Sequence, residues 1–128
     1  MRLNAIGILC ADVEASLGFY RSLGVPFGEY DPAEGHYSAE LGNGFRLMLD
    51  SHDVARAFID GFEPPRGNDQ MTLAVEAGSP AEVDAIFAGL IADGHAAIRD
   101  PFDAFWGQRY ATVADPDGNP VDLYAALR

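Results

Sequence analysis

Cysteine is almost absent from this chain. The single thiol, Cys10, cannot close an intrachain disulfide, so nothing calls for an oxidising compartment. Long apolar runs are absent too. No stretch approaches the ~20 residues needed to cross a bilayer, and no membrane partner is expected. The N-terminal MRLNAIGILC places one arginine before a short run that Asn4 interrupts. It lacks the length and the small-residue cleavage site of a signal peptide. The expected location is the cytoplasm.

Positive charge is scarce. Eight basic residues stand against 20 acidic ones, for a net charge of −12. Such a surface repels a phosphate backbone, so no nucleic-acid partner is expected. The same field attracts cations, which fits a cationic small molecule as ligand; plain solubility is the readier account of the acidity. Nucleophile motifs are also missing. There is no Gly-x-Ser-x-Gly elbow and no glycine-rich phosphate loop following a strand. His36, His52 and His95 show no ligand spacing and are expected to be surface or structural.

What is present is an ordinary globular composition, 48% apolar over 128 residues, enough for one domain with its own core. Leu3 to Cys10 alternates as a strand, with Ile6, Ile8 and Cys10 on the core side. Asp12 then caps a helix that ends before Gly24, with Val13, Leu17, Tyr20 and Leu23 on one face. Strands are expected at Phe27 to Tyr30, His36 to Leu41 and Phe45 to Asp50, the last two joined by the turn signal GNG. A short helix, HDVARAFID, and a proline-rich stretch, EPPRGN, link this half to the next.

The second half repeats the plan. Met71 to Ala77 reads as a strand. Ser79, Pro80 and Glu82 open a helix that Gly94 closes. Strands follow at His95 to Arg99, Gln108 to Ala114 and Pro120 to Ala126, the last two joined by DPDGN. GNGFRLML in the first half answers DGNPVDLY in the second. This is a duplicated βαβββ module, the first about residues 1–60 and the second about 68–128, in one domain of α+β class.

Two motifs carry a family resemblance. The first is Asp12, Ser16, Phe19, Tyr20, Leu23 and Gly24. The second is Trp106, Gly107, Arg109, Asp115, Pro116, Asp117, Gly118, Asn119, Asp122 and Leu123. Together they resemble the glyoxalase / bleomycin-resistance / extradiol-dioxygenase superfamily, the vicinal-oxygen-chelate fold, over the whole chain. The resemblance implies an eight-stranded mixed sheet curled into a cup, and a homodimer. It does not fix function, since the family includes metal-dependent enzymes and proteins that only bind an antibiotic.

Metal enzymes of that family carry His and Glu ligands at four places that fall here on Ala5, Arg46, Gln70 and Asp122. Ala5 has no donor atom, Arg46 is a permanent cation, and Gln70 is a weak neutral ligand. No metal or other cofactor is therefore expected. Strand parity lines the cup with Ala5, Gly7, Leu9, Arg46, Met48, Gln70, Thr72, Ala74, Asp122 and Tyr124. The stretch PFDAFWGQRY reads as a lid, with Phe102, Phe105, Trp106 and Tyr110 stacking on a flat ligand. Arg46 and Asp122, at equivalent places in the repeat, are expected to meet where a metal would lie. The favoured function is metal-independent sequestration of an aromatic antibiotic or metabolite in a cleft at the dimer interface, without catalysis. The alternative is a glyoxalase-like enzyme using Asp122, Glu40, His36 and Arg46, or a displaced metal.

Overall fold

A computed structural model describes residues 1–65 and 70–128. The chain forms two compact units, Met1–Arg66 and Gly67–Arg128. In order, the elements are β1 (Ala5–Cys10), α1 (Val13–Ser22), β2 (His36–Gly42), β3 (Phe45–Ser51), α2 (His52–Phe58), β4 (Leu73–Glu76), α3 (Pro80–Ala92), β5 (Ala97–Asp103), β6 (Gln108–Ala114) and β7 (Pro120–Ala126). The first unit holds a three-stranded sheet in the order β1-β3-β2, the second a four-stranded sheet in the order β4-β7-β6-β5. Each sheet is mixed: β1 runs parallel to β3 and β4 parallel to β7, and the remaining pairs are antiparallel. The class is α+β, as expected.

The expected strand at Phe27 to Tyr30 does not form, so seven strands rather than eight are seen among the described residues. Pro26 has no N–H to give a ladder, and the Phe27 amide is spent on the Val25 carbonyl at 2.9 Å. Phe27 instead drops its ring into the core.

The helices form where their caps direct. Asp12 accepts from the Ala15 amide at 3.1 Å and starts α1, which buries Val13, Ser16, Leu17, Phe19 and Tyr20. The Phe19 ring meets Tyr20 edge to face. Ser79 caps α3 by accepting from the Glu82 amide, and the Glu82 carboxylate reaches back to the Gly78 amide at 2.7 Å. Gly24 and Gly94 follow the two helices at φ +88° and +95°, conformations that cost a side chain dearly.

The core is built from alternating strand residues. Cys10, Leu47 and Leu49 are buried in the first unit; Ala111, Val113, Val121, Leu123 and Ala125 in the second, with Val83 and Leu90 of α3. Cys10 is thus a small hydrophobe in a sealed place. The opposite parity on each sheet is mostly half-buried or exposed, Thr112 apart, and the polar groups collect there.

Candidate functional site

In the second unit the residues of that open face form one connected network. On β7, Asp122 and Tyr124 lie opposite Thr112 and Tyr110 of β6. On β5, Arg99 and Phe102 lie opposite the same Thr112 and Tyr110. The Tyr110 hydroxyl donates to Asp122 Oδ2. The Thr112 hydroxyl donates to Asp122 Oδ1 at 2.7 Å and accepts from Arg99 Nη1 at 2.7 Å. Burial first, then the bond to Asp122 and its charge, push the Tyr110 phenol up to about 12.

The β5–β6 hairpin adds rings to this face. Trp106 stands edge to face with Tyr110 at 5.3 Å between centroids, with Phe105 at 4.9 Å and with Phe102 at 6.2 Å; Phe102 also meets Tyr110. The Trp106 indole N–H donates to Gln108 Oε1 at 2.8 Å, which fixes the ring. Phe105 is 96% exposed and Trp106 49%. Phe102 lies inside β5, not in the expected lid, because that strand continues through Pro101 to Asp103. Proline is tolerated there because β5 ends its sheet. Only residues 104–107 form the hairpin tip, where Gly107 adopts φ +91°.

In the first unit, Leu9, Arg46 and Met48 share the open face, again as parity requires. Arg46 donates through Nε to Ser38 Oγ at 2.6 Å and through Nη1 to Glu40 at 3.3 Å. His36 Nδ1 lies 2.5 Å from Asp50 Oδ1. Arg46 and Asp122 therefore each find partners on their own sheet. The register confirms their equivalence: Arg46 pairs with Ala5 as Asp122 pairs with Ala74. Gln70 and Thr72 precede β4, which begins at Leu73, and both are exposed.

The donors at the four metal positions do not fit a divalent ion. Ala5 offers none, Arg46 pairs with it across the strands and is a permanent cation, Gln70 is a neutral amide, and Asp122 alone is a carboxylate. Among the described residues no group of three His, Cys, Asp or Glu could hold a metal.

Three residues of these faces went unread in the sequence. Asp50 continues the parity of Arg46 and Met48 along β3 and was within reach of that argument. Ser38 is hidden by its ordinariness. Arg99 lies between two register shifts on β5, where counting by twos fails. A further concavity in the first unit, about 650 Å³, is lined by Asp12, Glu14, Tyr30, Glu34 and Asp53 among others. Asp12 is spent there on capping α1 and Asp53 on Arg56.

These features define an α+β scaffold of two sheets with an aromatic-rimmed polar face and, among the described residues, no metal-ligand set. The chain belongs to the Glyoxalase/Bleomycin resistance protein/Dioxygenase superfamily, whose pattern matches residues 2–123. It is similar to a glyoxalase/bleomycin resistance protein/dioxygenase from Nocardioides, at 28% identity and TM-score 0.71, covering 100% of this chain and 85% of that one. A glyoxalase-related enzyme from Fulvimarina pelagi shares the fold at 24% identity and TM-score 0.80, covering 97% and 87%. A protein of unknown function from Agrobacterium tumefaciens aligns at 26% identity and TM-score 0.73, covering 99% and 95%. No curated protein matches the chain. No helix among the described residues is long and apolar enough to cross a membrane.

Proposed function

We propose that this protein binds a flat aromatic small molecule without a metal, sequestering it against the open face of the second sheet. The observation that carries this is the ring cluster at the β5–β6 hairpin. Four aromatic side chains meet edge to face, and the two at the tip stand in solvent beside a polar network. An indole held by its own hydrogen bond and left half-exposed offers a preformed stacking surface. The family supports the reading, since the superfamily's name includes a resistance protein. We further propose a homodimer whose partner chain closes the cleft, because a fully exposed phenylalanine leaves apolar area to be covered. The test is titration of Trp106 fluorescence with planar aromatic compounds, alongside the Trp106→Ala variant.

A second reading, an acid–base enzyme of the glyoxalase-like kind, draws on the Tyr110–Asp122 hydrogen bond. A phenol bound to a carboxylate on an open face is a proton-handling pair. Turnover that is lost in Tyr110→Phe would favour it.

A further inference from the structure

The donors left unused on this face, and the charge that carries them, bear on the charge of the ligand. Asp122 Oδ2 accepts from Tyr110 and Oδ1 from Thr112, so the carboxylate is tied into its own sheet, with one lone pair left on each oxygen. The Thr112 hydroxyl gives its one proton to Asp122 and accepts from Arg99, and Thr112 is 1% exposed. The Tyr110 hydroxyl has likewise given its proton away.

Arg99 is different. A guanidinium has five N–H donors in a planar fork. Here Nη1 bonds to Thr112, and among the described residues Arg99 forms no ion pair. By contrast Arg46 and Arg109 are both neutralised by carboxylates, Arg109 twice over. Arg99 is exposed, and its bond to Thr112 aims it along the face that carries Tyr110 and Asp122.

We infer that the ligand is an aromatic carboxylate, its ring on the Trp106–Tyr110 side and its anionic group on Arg99. This rests on the small-molecule reading above and names the class of ligand within it. The spacing suits such a molecule. Arg99 pairs with Thr112 and Phe102 with Tyr110, two residues apart on β6, which is about 7 Å along a strand. A carboxylate placed on the guanidinium makes two parallel charge-assisted bonds. An ammonium in the same place would meet the like charge of Arg99, which among the described residues forms no ion pair to offset it.

The net charge of −12 by itself fits a cationic ligand better than an anionic one. Contact outweighs the distant field here, because charges farther than about 8 Å are largely screened at physiological salt.

The experiment uses three probes with one ring system: 2-naphthoate, 2-naphthylmethanol and 2-naphthylmethylammonium, titrated calorimetrically into the intact protein. The expected result is naphthoate bound at least tenfold more tightly than the alcohol, with the ammonium weakest. Arg99→Met keeps most of the apolar stem and should bind acid and alcohol alike, whereas Arg99→Lys should recover part of the preference. Trp106→Ala should weaken all three. Equal binding of the three probes, or tightest binding of the ammonium, would overturn the charge assignment while leaving aromatic binding intact. Failure of every probe to bind in a Trp106-dependent way would overturn both.

Discussion

Thr112 lies directly opposite Asp122 across β6 and β7, and its hydroxyl links Asp122 to Arg99 while it is almost wholly shut from solvent. Replacing it with valine keeps the shape and removes the link. Thr112→Val should cost about 1–3 kcal/mol, the usual penalty for leaving a shielded charged acceptor short of a partner. Denaturant unfolding of the variant measures this, and an unchanged midpoint would show the bond to be idle.

Tyr110 should titrate late. Its phenol is pushed up to about 12 from an ordinary value of 10, chiefly by burial and by the bond to Asp122. The neutral form is the favoured one. Its contribution to stability is therefore complete below pH 10 and is lost as pH rises from 10 to about 12. Difference absorbance between the parent and Tyr110→Phe isolates this one group. Asp122→Asn should move the transition down, and a transition already at 10 in the parent would refute the assignment.

Phe105 and Trp106 should separate binding from stability. Phe105→Ala removes an exposed ring, so its effect on folding should stay within about 0.5 kcal/mol. Trp106→Ala should weaken an aromatic ligand more than tenfold. Unaltered affinity in that variant would assign Trp106 to packing against Phe102 and Tyr110.

Purified protein should contain no stoichiometric divalent metal. Elemental analysis checks this. One zinc, nickel, manganese or iron per chain, lost on Asp122→Ala, would contradict the argument from Ala5 and Arg46.

Sedimentation at micromolar concentration should give a dimer. A monomer there would remove the proposed second wall of the cleft.

Most of the fold was legible because its signals are local. Asp12, Ser79 and Pro80 start helices, Gly24 and Gly94 follow their ends, and alternation picks out Leu47, Leu49, Val121 and Leu123 as core. The motifs that mark the family turn out to be fold instructions. Asp115 staples the β6–β7 turn by accepting from the amides of Asp117 and Asn119. Arg109 clamps β6 to α3 through Asp84, whose hydrogen bond also raises the guanidinium pKa. That is why those motifs name a superfamily and leave the activity open.

The failures were non-local or irregular. Phe27 has strand-forming character, but a proline neighbour and a place in the core decided its conformation. On β5 the expectation stopped at Arg99, before a proline that ends most strands. Only the strand's position at the margin of the sheet explains why Pro101 is accommodated. Arg99 closed the expected strand, but the register shifts on either side of it hid which face it takes.

Pro101 also governs what can happen at that margin. A bare strand edge is a template on which another chain can add by backbone pairing. On β5 the proline offers no N–H, and register breaks on both sides of Arg99 interrupt the row of donors and acceptors. The sheet cannot readily be extended there, strand upon strand, into an aggregate. The chain can thus carry exposed rings at the adjoining hairpin beside a strand edge that resists backbone pairing.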